Sequence, residues 1–243
     1  IMESLVKLFK FISSSGIVSR RKAQESIQLA MVTVNNTVVM DPFSDIDPLK
    51  DIVRLDDQKI ISNTKTTTLV LYKPKGFISS RSDELGRKTI FNLIPRKPFL
   101  NHVGRLDKDT TGLILLTNDG DLSQFLTHPK NKIPKEYIAQ TNEIISEKII
   151  KKIEKGIFIG SGEKGKAKII SQEKIKNTVH VIMILRQGKK NEIRRIFKFS
   201  GLNLIALKRI KFGSITLNQL KEGQSRELTK KEKQYLDKIT RKA

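Results

Sequence analysis

The first sixty residues combine helical spacing of apolar side chains with short β-branched runs. One apolar stripe has positions i, i+3, i+4 and i+7, which predicts an amphipathic helix ending at Gly16; it consists of Leu5, Leu8, Phe9 and Ile12. Ser19 is suited to cap a second helix, whose core face we expect to contain Ala23, Ile27 and Ala30. The runs 32–34 and 37–39 flank Asn35-Asn36, and Asn tolerates the positive φ of a two-residue turn. The segment therefore predicts a helix-helix-hairpin unit.

The rest of the chain mixes strands and helices without a regular strand-helix-strand repeat. We predict three β-rich or continuously apolar strands, over residues 68–72, 113–116 and 179–185. Helices are predicted after the capping residues Asp121 and Ser146, and from about residue 191 to 200. This order favours an α+β fold, in which the small unit precedes a domain with a mixed, mainly antiparallel sheet flanked by helices.

Charge is distributed unevenly along this pattern. The 243 residues include 47 Lys and Arg against 25 Asp and Glu, a net charge of +22, and such proteins usually bind polyanions, above all nucleic acid. Residues 1–64 hold eight basic and eight acidic side chains, so the whole excess lies after them. The change coincides with a polar run rich in Ser, Asn and Thr. We therefore predict two domains, 1–64 and 65–243.

The composition also narrows the classes of protein. Without Cys, and with three His that lack the i,i+4 spacing of helix-borne ligands, we expect no metal site. The apolar runs are far shorter than the ~18 residues of a membrane span, and the first ten residues do not resemble a secretion signal. We expect a cytoplasmic protein with no membrane partner.

The most informative segment is the run Gly-Arg-Leu-Asp-Lys-Asp-Thr-Thr-Gly-Leu, residues 104–113. It places Asp107 in a short loop bounded by glycines, directly before an apolar strand that can hold the carboxylate at the rim of a cleft. A loop Asp that only bonds neighbouring backbone amides is the alternative interpretation.

A second cluster, Gly-Lys-Lys-Asn-Glu-Ile-Arg-Arg over residues 188–195, stands at the start of a predicted helix. Arg194 and Arg195 flank apolar positions, so at least one of them should lie near the core boundary. Such an Arg either extends its charge to solvent or pairs with a carboxylate. A solvated helix that contacts phosphates fits the pattern equally well.

Four segments in this order resemble the motif regions of RsuA/RluB-type ribosomal RNA pseudouridine synthases. They are Lys-Pro-Lys-Gly at 73–76, the run around Asp107, Lys-Glu-Tyr at 135–137, and the cluster at 188–195. The first domain is similar to the S4-type RNA-binding domain that usually precedes them. The run around Asp107 is the most specific of these segments, and the resemblance covers nearly the whole chain.

The resemblance implies that a uridine in ribosomal RNA is isomerised without a cofactor: the bond from the sugar to the ring nitrogen is cut, the base rotates, and it rejoins through a ring carbon. Asp107 matches the catalytic Asp, acting as nucleophile or as base. Arg105 would fill the gap left by the flipped nucleotide. Tyr137 would stack on the target base, Arg194 would keep the carboxylate ionised, and Lys73 would bind substrate.

Other residues match positions that would bind RNA. These are Ser19, Arg20, Arg21 and Lys22 in the small domain, and Lys189, Lys190 and Arg195 in the large one. The expected partner is ribosomal RNA or a ribosome-assembly intermediate, bound by a monomer.

Two other functions compete with this interpretation. A non-catalytic rRNA-binding assembly factor fits the charge and the small domain, but it has no need of a carboxylate in a positive cleft. A methyltransferase is disfavoured because no Gly-rich loop follows a strand.

Overall fold

A computed structural model describes residues 5–61, 66–94 and 100–241. Within these ranges the chain forms two compact units, one from residues 5–61, 66–67 and 100–101, and one from residues 68–94 and 102–241. The predicted boundary between residues 64 and 65 lies outside the described residues.

The first unit combines helices with short antiparallel strands. Its elements are β1 (Val6–Lys7), α1 (Leu8–Ser14), α2 (Arg20–Gln28), β2 (Val32–Val34), β3 (Thr37–Val38), β4 (Asp45–Ile46), β5 (Val53–Leu55) and β6 (Gln58–Lys59). β1 pairs with β4, and the other strands form a sheet in the order β3-β2-β5-β6. An apolar core joins the helices to the sheet through buried residues that include Leu8, Ile12, Ala23, Ile27 and Val32.

The predicted helix-helix-hairpin pattern is present, with two differences at element ends. The turn residues Asn35 and Asn36 have φ values of 51° and 66°. Leu5 precedes β1 and is 61% exposed, because pairing with β4 takes the backbone before Leu8 into a strand. Ala30 lies beyond the end of α2 with a φ of 58° and is exposed, so it does not face the core. In both places tertiary pairing or a turn interrupts the helical spacing.

The second unit is built on a nine-stranded sheet. Its strands and α-helices are β7 (Thr68–Lys73), β8 (Asn101–Val103), β9 (Thr110–Thr117), α3 (Gly120–Thr127), β10 (Lys135–Thr141), α4 (Glu147–Lys155), β11 (Ile157–Phe158), β12 (Lys164–Gly165), β13 (Lys168–Ile175), β14 (Thr178–Leu185), α5 (Glu192–Phe199), β15 (Leu204–Phe212), β16 (Ile215–Thr216), β17 (Ser225–Glu227) and α6 (Lys230–Thr240). Short 3-10 helices span Ile90–Leu93 and Pro129–Asn131.

The sheet has the order β13-β14-β10-β15-β9-β7-β17, with β16 on β15 and β8 on β9, while β11 and β12 form a separate hairpin. β9 and β15 pair in parallel, whereas β10, β14 and β7 pair antiparallel with their neighbours. The predicted α+β class with a mixed, mainly antiparallel sheet is confirmed.

Helices cover the sheet and fix its central strands. Leu126 of α3 and Leu236 of α6 join Leu113 and Leu115 of β9 in one apolar cluster. The cap of α3 is Asp119, whose carboxylate accepts from the backbone N–H of Asp121 and Leu122, so the prediction that Asp121 caps this helix is wrong by two residues. Across the described ranges, no helix has the length and apolar character needed to span a membrane.

Candidate active site

Asp107 lies in the loop between β8 and β9, and its neighbours hold the loop in place. Buried Ser79 donates from Oγ to the carbonyl oxygen of Leu106 at 2.9 Å and accepts from the Leu106 N–H at 3.1 Å. On the other side, the Thr110 N–H donates to the carbonyl of Asp107 at 3.0 Å. The Asp107 side chain remains 44% exposed. A fixed backbone thus presents an accessible carboxylate.

Lys73, the last residue of β7, is fully buried behind this loop. Its Nζ donates to three backbone carbonyls, those of Pro74 (3.0 Å), Lys108 (3.1 Å) and Thr110 (2.7 Å). Burial lowers the pKa of Lys73 to about 8, against the opposing effect of Asp109 and Asp107. Three N–H donors and three carbonyls leave no donor for a ligand. This corrects the prediction that Lys73 binds substrate: Lys73 supports the Asp107 loop from inside.

The Asp107 carboxylate opens into a cleft of about 330 Å³. Seven cationic residues of the described chain line it: Arg105, Lys135, Arg186, Lys189, Lys190, Arg194 and Arg209. The two carboxylates in the same lining are Asp107 and Glu192, and Glu192 is only 4% exposed. The cleft is therefore electropositive around a single accessible carboxylate, a charge distribution that favours a polyanion.

Arg194 lies in α5 at ion-pair distance from Asp107, as the sequence predicted. Its Nε is 3.9 Å from Asp107 Oδ2, and its Nη2 donates to Thr110 Oγ1 at 3.3 Å. The Arg194 side chain is 32% exposed. Solvent therefore screens this pair, and its contribution to stability is modest.

Asn191, the residue before α5, makes the closest side-chain approach to Asp107. In the amide orientation that sets a donor against the carboxylate, its side-chain nitrogen donates to Asp107 Oδ1 at 2.7 Å and to Oδ2 at 2.8 Å. Its backbone is left-handed, with φ 52° and ψ 32°. From the sequence, Asn191 was expected only at the start of a helix. Its residue type could have indicated the turn, because Asn adopts the left-handed backbone conformation more readily than most residues.

Glu192 holds the loop that carries Asn191. Its Oε1 accepts from Gln187 Nε2 at 2.9 Å and from the Lys166 N–H at 3.3 Å, and its Oε2 accepts from the Lys189 N–H at 3.0 Å. A buried carboxylate with three donors is a stable anchor, since its charge is compensated. The loop over residues 187–191 is thus fixed next to the cleft.

Arg195 points in another direction than Arg194. Its guanidinium donates to the carbonyls of Ile159 and Gly160, both at 2.7 Å, and pairs with Glu163. These acceptors lie in the segment joining β11 to β12. Because its donors serve internal groups, the geometry does not support the prediction that Arg195 binds RNA; it attaches this hairpin to α5.

The floor of the cleft is formed by Tyr137, Lys135 and Arg209. Tyr137 on β10 is 9% exposed and lines the cleft, as its predicted contact with a base requires. Arg209 on β15 is 2% exposed; its Nε donates to the Leu113 carbonyl at 2.6 Å, and its Nη2 has no partner among the described residues. Burial, and next the charge of Arg209, lowers the pKa of Lys135 to about 8. Arg209 was not predicted as a site residue, because in the sequence it is one of 47 Lys and Arg residues with no distinguishing motif.

The remaining predicted residues of the second unit lie at the rim. Arg105 and Lys190 are exposed and line the cleft. Lys189 also lines it, although its Nζ donates to the Lys164 carbonyl at 2.7 Å. The rim therefore offers cations to groups entering the cleft.

The residues predicted to bind RNA in the first unit cluster at the start of α2. Ser19 caps the helix by accepting from the Lys22 N–H at 3.2 Å, as predicted. Arg20, Arg21 and Lys22 are exposed in its first turn, and Lys22 Nζ lies 3.4 Å from Glu25.

The chain is similar in sequence and in fold to known proteins. Residues 67–199 match the family model described as RNA pseudouridylate synthase. The chain is 36% identical over 228 residues to ribosomal large subunit pseudouridine synthase B of Bacillus subtilis (strain 168), with 92% of each chain covered. It is 36% identical over 234 residues to an RNA pseudouridine synthase of Aquifex aeolicus (strain VF5), covering 93% of this chain and 92% of the relative. A crystal structure of a pseudouridylate synthase superposes with a TM-score of 0.67 at 28% identity, over 95% of this chain and 99% of that one.

Proposed function

The chain belongs to the family of RNA pseudouridylate synthases, of the RsuA/RluB type, and from this premise we propose that Asp107 carries out the isomerisation of a uridine in ribosomal RNA. The protein is an isomerase. One observation carries the assignment to Asp107: it is the accessible carboxylate in a cleft lined by cations of the described chain.

The chemistry requires only one such group. Glycosidases use two carboxylates, because one must protonate a poor leaving oxygen while the other acts at the sugar. Uracil is a better leaving group than a sugar alkoxide and stays in the site, so no second acid is needed. Glu192, the other carboxylate of the cleft, is bonded to its own loop. Asp107 therefore acts at the sugar, as nucleophile or as base, while the base rotates and rejoins through a ring carbon. That carbon loses its proton and the freed ring nitrogen gains one, so the product is an isomer of the substrate.

The residues around Asp107 receive roles from their positions. Arg194, at 3.9 Å, pairs with the carboxylate and sets a positive charge beside it. Tyr137 stacks on the target base from the cleft floor, and exposed Arg105 fills the gap left by the flipped nucleotide. Lys189 and Lys190 contact phosphates at the rim.

We assign residues 65–243 as the catalytic domain and residues 1–64 as an S4-type RNA-binding domain. The family match over residues 67–199 supports the first assignment, and the helix-helix-hairpin order supports the second. In the small domain, Ser19, Arg20, Arg21 and Lys22 meet a phosphate at the start of α2, where backbone N–H groups also converge.

The substrate we propose is ribosomal RNA of the large subunit, free or in an assembly intermediate. The name and coverage of the Bacillus relative support this choice. The enzyme then works as a monomer in the cytoplasm, where ribosomes are assembled. Mapping pseudouridine across both rRNAs in cells with and without this protein identifies the target. A missing modification confined to small-subunit RNA would contradict the choice of subunit.

The role of Asp107 is tested with Asp107→Asn, which keeps the shape of the side chain and removes its nucleophilicity and basicity. We expect a folded protein that binds rRNA and forms no pseudouridine. Asp109→Asn, an exposed Asp two residues further along the same loop, is the matched control and should retain activity. More than trace activity in Asp107→Asn would show that another group does the chemistry.

A further inference from the structure

The Asp107 carboxylate has a neutral neighbour that is closer than its cationic one. The Asn191 side-chain nitrogen lies 2.7 Å from Oδ1 and 2.8 Å from Oδ2, whereas Arg194 Nε is 3.9 Å from Oδ2. An amide oxygen at these distances would face two negatively charged oxygens, so the nitrogen must point at the carboxylate. Both acceptor atoms of Asp107 are thus engaged by one amide.

The backbone around Asn191 fixes the direction of this amide. Its left-handed conformation, φ 52° and ψ 32°, turns the chain just before α5. Its carbonyl accepts from the Arg195 N–H at 2.9 Å, in the first turn of that helix. The next residue, buried Glu192, binds Lys189 and Gln187 and so holds the preceding loop. Rigid elements on both sides therefore support the contact, which is the arrangement a functional group needs.

We propose that Asn191 is a positioning residue for the isomerisation: its amide holds the Asp107 carboxylate in the orientation in which it acts on the sugar. This inference rests on the proposed role of Asp107. Hydrogen bonds from one fixed amide to both oxygens restrict the rotation of the carboxylate. Because the donor is neutral, it does this without adding a further cation to the cleft, and it can release one oxygen to the sugar while keeping the other.

Three substitutions distinguish the effect of the amide group from the effects of backbone conformation and side-chain size. Asn191→Gly removes the amide, and Gly adopts a φ near 50° without strain. Asn191→Asp keeps the size and tolerance of the left-handed backbone but replaces the donor with a negatively charged acceptor. Asn218→Gly is the matched control, since Asn218 is exposed with a φ of 51° and does not line the cleft.

The order of activities tests the proposal. A positioning amide predicts that kcat falls about 10- to 100-fold in Asn191→Gly and further in Asn191→Asp, with little change in KM for RNA. A side chain without this role predicts the wild-type kcat in Asn191→Gly, whereas Asn191→Asp sets a second negative charge against Asp107 in either case. Asn218→Gly should keep the wild-type kcat, and thermal unfolding should show that all variants fold.

The pH profile provides a second readout. In Asn191→Asp two carboxylates face each other at hydrogen-bond distance and share a proton, so the acid limb of kcat/KM should move upward by about one pH unit or more. Asn191→Gly with wild-type kcat, or Asn191→Asp more active than Asn191→Gly, would overturn the inference while leaving Asp107→Asn inactive. Activity in Asp107→Asn would instead overturn the proposed function itself.

Discussion

At the scale of single residues, Lys135 shows how burial sets the chemistry of the cleft. Its Nζ lies 5.4 Å from the centre of the Phe212 ring and donates to the Ile133 carbonyl at 3.3 Å. With its pKa lowered to about 8, Lys135 is charged below that pH and becomes neutral above it. The cleft therefore loses one of its positive charges near the pH at which many enzymes are assayed.

This titration predicts a pH dependence of RNA binding. As the pH rises through about 8, Lys135 loses its proton, so Kd for the RNA should increase. Lys135→Arg keeps its charge at this pH and should show a smaller increase. Fluorescence anisotropy with an rRNA fragment, at constant ionic strength from about pH 7 to about pH 9, measures both curves. Parallel curves would mean that another group is responsible.

The same lowered pKa affects stability with a definite sign. The unfolded chain keeps the Lys135 proton up to the ordinary lysine pKa of 10.5, whereas the folded protein loses it near 8. Between these values the unfolded state binds more protons, so the contribution of Lys135 to the free energy of unfolding rises with pH. Lys73 acts in the same direction, because burial lowers its pKa to about 8 as well.

Sequence reasoning found part of the residue-scale chemistry. Asp107 and Arg194 were predicted to meet because their motifs resemble those of one family, and they do meet. Lys73 was identified by the same resemblance. That its side chain points into the protein could not be predicted, since only the fold shows that three carbonyls surround its Nζ. Asn191 was missed because its contact depends on a left-handed backbone that the spacing of apolar residues does not report.

At the scale of elements, the parallel contact between β9 and β15 depends on Gly112. Its φ is 107°, and a Cβ there would lie 2.1 Å from the carbonyl oxygen and 2.6 Å from the nitrogen of Arg209. Neither atom can move without separating the two strands. The absence of a side chain at Gly112 therefore allows the centre of the sheet to close beside the Asp107 loop.

Gly112→Ala should consequently destabilise the second unit severely, by more than about 4 kcal/mol, and yield little folded protein. Gly86→Ala is the matched control: Gly86 also has a positive φ, of 66°, but a Cβ there meets no atom within 4 Å. The control should lose only about 1 kcal/mol, from backbone strain. Urea denaturation of both variants measures the difference, and equal losses would show that the approach to Arg209 is unimportant.

The attachment of the β11–β12 hairpin to α5 gives a second prediction at this scale. Arg195→Ala removes the donors to Ile159 and Gly160, so we expect a loss of about 1 to 3 kcal/mol in the free energy of unfolding and an unchanged salt dependence of RNA binding. Lys190→Ala, at an exposed rim position, should leave the free energy of unfolding unchanged and reduce the salt dependence of RNA binding. An Arg195→Ala protein of normal stability but weakened RNA binding would restore the original prediction for Arg195.

The presence and type of the helices and strands were predicted more accurately than the residues at which they begin and end. Strands β7, β9 and β14 and helices α2 and α5 follow from apolar spacing and turn residues. The cap of α3 was misplaced because the Asn118-Asp119-Gly120-Asp121 turn offers two Asp residues, and only the folded backbone selects Asp119. Arg195 was predicted to bind RNA, but it donates to backbone carbonyls about 35 residues earlier in the chain. Backbone carbonyls carry no sequence signal, so these contacts could not be predicted.

At the scale of the whole molecule, charge predicts which unit provides RNA affinity. The first 64 residues are neutral, so the net charge of +22 belongs to the remainder. Affinity for RNA falls with salt by a slope of about 0.7 to 0.9 per phosphate contact. Replacing Arg20, Arg21 and Lys22 together with Gln should therefore keep most of the slope and reduce mainly the discrimination between target and unrelated RNA. A nearly flat salt dependence in that variant would assign the affinity to the first unit.

The parallel pairing of β9 with β15 also sets the order in which a newly made chain becomes an enzyme. β7 can pair with β9 as soon as both have left the ribosome, but the bond from Arg209 to Leu113 joins residues 96 positions apart. Closing so long a segment is slow, because its entropy is lost before the contacts form. Asp107 meets Asn191 and Arg194 only when α5 docks. A nascent chain in which α5 has not yet been made therefore carries the Asp107 loop without the two side chains that contact it.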